Sequence, residues 1–360
     1  MTSPRGELRA SRAPLPGPLG RAAAWCYGQA IGRINARFDG GRGVVTLDRP
    51  VISVGNLSTG GTGKTPMVMR VLAWLRAGGH DPCVAMRGYG SRDGAASDEA
   101  LEYAREFDDL PVVARPDRVG GLIELFATPR GERVDSIVLD DGFQHRKIAR
   151  TLDLVLLDAT RPIFEDALLP AGHLREPVES LARAGGIVIT HAESAHPDDV
   201  ATLRVRAHAL APRAIGAVAR HAWKGLVDAQ EGAAPADALR GRRVGVACAI
   251  ANPDAFVDMA RQATGEPAGV LTLPDHDAYG PAGVDRLLAM LRDARCDALL
   301  VTEKDWSKLR RVHASRWPCP VFRPRLGLAF DLGEGELRRA VLEAARPAPD
   351  IVPDCDEPSC

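Results

Sequence analysis

Apolar residues along this 360-residue chain recur in two alternating patterns. Val51-Ile52-Ser53-Val54 is a short β-branched run of the kind that fills a buried strand. A glycine-rich stretch follows it. Met67, Val68, Val71, Leu72 and Leu75 then fall on one helical face, and Gly78-Gly79 predicts the stop. The same alternation continues. Residues 83–86 form a strand ending in Arg87-Gly88-Tyr89-Gly90, and Asp98-Glu99 opens a helix running to about Phe107. Val112-Val113-Ala114 leads into Arg115-Pro116-Asp117-Arg118, and Ile137-Val138-Leu139 into Asp140-Asp141-Gly142-Phe143-Gln144-His145. Residues 154–158 and 186–190 add two more buried strands. The pattern predicts an α/β fold with a parallel sheet covered on both faces, whose ligands bind beyond the carboxyl ends of the strands. The polar clusters fall at those ends.

A second, smaller α/β unit is expected over 211–325, with strands at 244–250, 271–273 and 298–302. Residues 225–240 are rich in Ala, Gly and Asp and read as a surface loop. The first domain is expected over 43–210, a return helix over 326–346, and a disordered Pro/Asp-rich tail over 347–360.

The stretch from Val51 to Thr65 carries the chemistry. Strand, glycine turn and helix start occur in the order of a phosphate-binding loop. Gly60, Gly61 and Gly63 can take positive φ and let backbone N–H groups crowd an anion. The helix start adds free donors and a positive dipole end. Lys64 is placed to reach the β- and γ-phosphates of a nucleotide, and Thr65 to offer a hydroxyl to Mg²⁺. Ser58, Thr59, Gly60, Gly61, Thr62, Gly63, Lys64 and Thr65 are therefore the candidate ATP residues. A strict Walker motif has glycine where Ser58 stands, so the plain alternative is a glycine-rich turn. Pro66 fits the first helical turn, where its missing N–H costs little. Asp140, at the end of a buried strand, resembles the carboxylate that pairs with such a loop to hold Mg²⁺. Candidates to position an acceptor hydroxyl are Asp98, Glu99, Asp141, His145 and His276. Each has a competing reading as a cap or a satisfied surface polar group.

Composition narrows the options. A net charge of −1 excludes a global field for nucleic acid. Seven cysteines without CxxC spacing (26, 83, 248, 296, 319, 355 and 360) argue against a zinc site or disulfide framework and fit a reducing cytoplasm. No apolar run approaches a membrane span, and no signal-peptide pattern is seen. Residues 1–42 hold seven arginines against Glu7 and Asp39, a local charge of +5. Tyr27, Ile31, Ile34 and Phe38 share a helical face there. This segment reads as an amphipathic helix that either lies on an anionic membrane or packs on the domain.

Several strings together resemble the tetraacyldisaccharide 4′-kinase family, the lipid A 4′-kinases of Gram-negative bacteria. They are Gly55-Asn56-Leu57 through Thr65-Pro66, Arg87-Gly88-Tyr89-Gly90, Asp98-Glu99, Asp117-Arg118 and 140–145. Leu169 through Pro177, Ala249 through Pro253, Asp275-His276-Asp277 and Thr302-Glu303-Lys304-Asp305 continue them in family order. The resemblance covers about residues 15–330, and the family shares the departure at Ser58. It implies a P-loop NTPase-like domain joined to the smaller domain by a β-strand linker. The implied reaction is ATP-dependent phosphorylation of the 4′-hydroxyl of a tetraacylated glucosamine disaccharide 1-phosphate, giving lipid IVA. It also implies Asp98 as the catalytic carboxylate with His276 as partner, Lys64 on the transferring phosphate, and Thr65, Asp140 and Glu99 around Mg²⁺. Asp117, Arg118, Asp141, Gln144, His145, Arg175 and Glu176 are implied to line the cleft near sugar or phosphates. The implied setting is a peripheral monomer on the cytoplasmic face of the inner membrane, with the basic N-terminal helix at the bilayer. Asp277, His173 and Ala251 depart from the usual strings, where His, Pro and Gly are common.

Three other functions compete. A partitioning-type ATPase switch usually has lysine where Thr59 stands. A GTPase needs a base-reading NKxD or TKxD spacing, which Thr302-Glu303-Lys304-Asp305 fails. A kinase of a soluble small molecule would work without lipid or detergent.

Overall fold

The structure is a computed structural model that describes residues 13–88, 98–161, 163–250, 253–275 and 277–346. For Asp98 and Glu99 it describes the backbone alone. Tyr89, Gly90, Ala251, Asn252, His276 and the tail from 347, with Cys355 and Cys360, lie outside the described residues.

The chain divides into two units. Residues 1–220 with 328–360 form the first, and 221–327 form the second. The first unit begins with α1 (Gly17–Asp39), β1 (Val51–Asn56), α2 (Lys64–Ala77) and β2 (Pro82–Met86). It continues with α3 (Asp98–Glu106), β3 (Val112–Ala114), α4 (Arg118–Phe126), α5 (Pro129–Glu132) and β4 (Ser136–Asp140). Then come β5 (Leu152–Asp158), β6 (Gly186–Thr190), α6 (Pro197–Leu210) and the start of β7 (Ile215–Asp228). Its strands lie in the order β7-β6-β5-β1-β4-β2-β3, and each neighbouring pair is parallel. The order places β1 centrally, between β5 and β4, with both faces covered. β1, β2, β4 and β6 are buried along their whole length, which is why they read as largely apolar runs.

α2 buries the predicted stripe of Met67, Val68, Val71, Leu72 and Leu75 completely. Each such burial stabilises the fold by roughly 1.5–3 kcal/mol over the exposed side chain. The helix ends at Ala77, with Gly78 as its C-cap. α10 (Glu334–Ala344), at the far end of the chain, contributes Leu337 and Val341 to the same core.

The second unit holds the rest of β7, β8 (Ala233–Ala234), β9 (Val244–Cys248), α7 (Pro253–Thr264) and β10 (Gly269–Thr272). It then adds α8 (Pro281–Asp293), β11 (Ala298–Val301), α9 (Glu303–Leu309) and most of β12 (Val321–Leu332). β10, β9, β11 and β12 pair in parallel in that order. The chain changes unit at Arg220, ten residues later than the boundary expected from the sequence. The start of β7 pairs with β6, from Gly186 with Ile215 to Ile189 with Val218, so it stays in the first unit.

One sequence expectation needs correction, and one alternative left open is resolved for part of α1. Residues 225–240 are not a plain surface loop. Leu226 and Val227 lie in β7 and pair with β8, and Leu226 and Leu239 are fully buried. The small residues around them hid two core positions. The Tyr27, Ile31 and Phe38 stripe of α1 packs on the domain, while Ile34 stays half exposed. Tyr27 donates to the Arg175 carbonyl at 2.9 Å, and the Asn35 amide donates to Glu176 at 2.9 Å. Arg146 stacks over the Phe38 ring and pairs with Asp39 at 2.6 Å. Leu19 and Trp25 stand 78% and 68% exposed on this same helix.

Candidate active site

The loop between β1 and α2 is shaped by two glycines. Gly60 and Gly63 take φ of 111° and 78°, conformations that a side chain strains, and Gly63 caps α2. Gly61 does not need positive φ. No side chain caps α2, so its first N–H groups are left for a guest anion.

Asn56, which the sequence reading gave no role, ties the loop together. Its amide nitrogen donates to the Ser58 carbonyl at 2.7 Å and to the Thr62 hydroxyl at 2.9 Å, and its oxygen accepts from Lys64 at 3.4 Å. Outside the loop, the segment 173–175 runs antiparallel to residues 57–59. The Arg175 N–H donates to the Leu57 carbonyl at 2.7 Å, and the Thr59 N–H donates to the His173 carbonyl at 2.9 Å. The His173 ring also lies 3.1 Å from the Thr59 hydroxyl. Thr190, at the end of β6, donates to the Thr62 carbonyl at 3.0 Å.

Asp140 and Asp141 sit at the end of β4, with Asp140 in register with Val54 of β1. The Asp140 carboxylate is buried and accepts from the Tyr103 hydroxyl of α3 at 2.9 Å. Asp141 adopts φ 49°, and one Arg175 nitrogen bridges its two oxygens at 2.8 and 3.0 Å. Lys64 lies 3.5 Å away. Burial alone would raise the Asp141 pKa, but Lys64 and Arg175 outweigh it and hold the carboxyl below the usual carboxylate range.

Arg118, at the start of α4, is almost fully buried and donates to the Asp141 carbonyl at 3.3 Å. Gln144 donates to the Asn56 carbonyl at 2.9 Å, while its oxygen accepts from Arg175 at 3.4 Å. His145 is pushed down to about 4, by burial first and then by Arg118 and Arg150, so its ring is neutral at pH 7. Arg150 fixes this turn from behind, donating to the carbonyls of Gly142 and Phe143 at 2.7 and 2.9 Å.

The structure thus brings Lys64, Arg118, Asp141, Gln144 and Arg175 into one connected cluster. Asp117 is the N-cap of α4 and accepts from the Gly120 N–H at 3.2 Å. Glu176 is buried, and its Oε2 accepts from Arg183 and Asn35, both at 2.9 Å. Asp98 and Glu99 open α3, which carries Tyr103 to Asp140. Asn56, Tyr103, Arg150 and Thr190 escaped the sequence reading. Asn56 alone carried a signal, its place directly before the loop.

Residues 18–344 match the family model described as tetraacyldisaccharide-1-P 4'-kinase. A tetraacyldisaccharide 4'-kinase of Anaeromyxobacter sp. (strain K) is 37% identical over 93% of this chain and 95% of its own. One from Geobacter metallireducens is 39% identical over 81% of this chain and 85% of its own. The crystal structure of LpxK from Aquifex aeolicus in complex with ATP superposes with a TM-score of 0.69. It covers 90% of this chain and 98% of its own at 26% identity. This α/β chain, with its phosphate loop and charged strand-end cluster, belongs to the tetraacyldisaccharide-1-P 4'-kinase family and is an enzyme that phosphorylates the 4′-hydroxyl of its tetraacyldisaccharide 1-phosphate substrate.

Proposed function

We propose that the phosphoryl donor is ATP, bound by residues 58–65, and that Lys64 neutralises charge on the transferring group. One observation supports this above the others. The Lys64 ammonium sits at the mouth of a glycine loop, held by Asn56 at 3.4 Å and Asp141 at 3.5 Å, beside an uncapped helix start. These are exchangeable contacts, long enough to give way to phosphate oxygens. The ATP in the Aquifex aeolicus structure supports the same donor.

Thr65 and Asp140 are proposed to hold Mg²⁺, with Glu99 as a further oxygen donor. The fit rests on donor chemistry: a hydroxyl in the first turn of α2 and a carboxylate at the end of β4 are hard oxygen ligands of the kind Mg²⁺ prefers. When bound, the ion offsets charge on the β- and γ-oxygens. Tyr103 orients the Asp140 carboxylate. Asp98 is the proposed catalytic carboxylate, with His276 as its partner, positioning and deprotonating the acceptor hydroxyl. Arg118, Asp141, Gln144, His145 and Arg175 are proposed to receive substrate groups. Asp117 and Glu176 support the wall behind them, through the α4 cap and the Arg183 pair.

An acylated acceptor sits in a lipid surface. The enzyme is proposed to act there as a peripheral protein on the cytoplasmic face of the inner membrane. No helix among the described residues is long and apolar enough to cross a membrane. The exposed Leu19 and Trp25, with Arg21, Arg33 and Arg37 on the same helix, suit an interface.

The test is an assay with Mg-ATP and tetraacyldisaccharide 1-phosphate in detergent micelles, read by mass spectrometry, with Lys64→Ala as the control. A lipid gaining one phosphate, absent in the control, is expected. ATP turnover without lipid phosphorylation would overturn the acceptor, and use of GTP in preference to ATP would overturn the donor.

A further inference from the structure

Arg161 follows β5 by three residues and reaches the lip of the phosphate loop. Its Nη1 donates to the Thr59 carbonyl at 2.8 Å. The guanidinium lies against Gly60 so closely that a Cβ there would stand 2.7 Å from Nη1 and 2.9 Å from Nη2. Gly60 therefore serves two needs, its φ of 111° and the approach of a cation. Asp158 orients Arg161 without neutralising it tightly. Its Oδ2 lies 3.6 Å from Arg161 Nε, outside hydrogen-bond length. Its Oδ1 is occupied by the Thr160 N–H at 2.9 Å and hydroxyl at 2.7 Å, with His191 at 3.4 Å. His191 itself is kept more basic than an ordinary histidine, because Asp158 outweighs the effect of its burial. A third of the Arg161 side chain remains exposed, and among the described residues one hydrogen bond engages a group that has five donors.

We propose that Arg161 is a second cation of the phosphate loop and contacts the terminal phosphates of the donor nucleotide. This rests on the reading of residues 58–65 as the donor site. Thr59 occupies a loop position where some related loops carry a lysine, and Arg161 brings a guanidinium to the carbonyl of that residue from another strand. A planar guanidinium already seated on the loop can offer paired N–H groups to phosphate oxygens at little ordering cost.

The experiment compares the wild-type protein with Arg161→Gln and Arg161→Lys. Steady-state kinetics are run with ATP and tetraacyldisaccharide 1-phosphate in micelles, and ATP and AMP binding are measured by calorimetry. In Arg161→Gln, the KM and Kd for ATP are expected to rise at least tenfold. The KM for lipid and the Kd for AMP, which lacks terminal phosphates, should stay within twofold. Arg161→Lys should recover part of the loss, and it keeps the test open should the Gln variant not fold. Unchanged ATP binding in a folded variant overturns the proposal. So does an equal loss of ATP and AMP binding, which would make Arg161 a support of the loop alone. Failure of the wild-type protein to bind ATP would instead overturn the donor-site reading.

Discussion

Replacing Asp141 by Asn tests the charge cluster directly. The carboxylate receives one Arg175 nitrogen across both oxygens, at 2.8 and 3.0 Å, and faces Lys64 at 3.5 Å. A hydrogen bond to a charged group contributes about 1.5–3 kcal/mol, near the top of that range when both partners are charged and near the bottom for the one that Asn retains. The Arg175 contact therefore loses up to about 1.5 kcal/mol. The Lys64 pair is long and partly exposed, so it adds up to about 1 kcal/mol. The expected loss is about 2 kcal/mol at pH 7, or a drop in Tm of about 4–8 °C for a unit of this size. The sign of the pH dependence follows from the depressed carboxyl pKa. The folded state holds the proton less tightly than the unfolded chain, so the stabilisation is complete above about pH 3.9 and is lost as pH falls through the lower folded value. Urea unfolding followed by circular dichroism, from pH 7 to pH 3, should show a constant gap between wild type and variant that closes only in acid. A gap that widens in acid, or none at pH 7, would refute the argument that ionised Asp141 holds Lys64 and Arg175.

Three further outcomes are expected. Tyr103→Phe removes the 2.9 Å hydrogen bond to Asp140 and should raise the Mg²⁺ concentration for half-maximal activity several-fold, while the KM for lipid stays unchanged. His145, pushed down to about 4, should show an NMR titration midpoint near that value. Because its folded pKa lies below the unfolded one near 6.5, it should also make stability decline as pH falls from about 6.5 toward 4. Leu19→Glu with Trp25→Glu should cut partitioning onto anionic vesicles at least tenfold and leave Tm unchanged, since both side chains are exposed. Equal partitioning would remove this face of α1 from the membrane account.

The fold was legible where physics is local. The stripe of α2 was visible because one helix face meets one core, and the strands around β1 because burial on both faces makes them mostly apolar. The phosphate loop was legible because strand, glycines and helix start are contiguous in sequence. The partners that hold it were not. Thr190 and Arg175 come from 128 and 118 residues beyond Thr62 and Leu57, and nothing local in either segment announces the contact. Amphipathicity told that one face of α1 wants burial, but not whether protein or lipid buries it. The contacts of Tyr27 and Asn35 decide that question for the inner face. Leu226 and Leu239 stayed hidden because small residues surround them, so that no period emerges.

The first unit is assembled from both ends of the chain, and this bears on how the protein is made. Leu328, Leu337, Val341 and Ala345 belong to the same core as α2. A ribosome releases α2 about 270 residues' worth of codons before it releases the helix that seals it. During that interval residues 221–327 are complete and contiguous, whereas the N-terminal portion holds an open apolar patch. The nascent chain therefore closes its larger unit only after the whole of the smaller one has been made. A frameshift or stop codon before residue 337 would strand an enzyme with every loop of its phosphate site intact and no finished core beneath it.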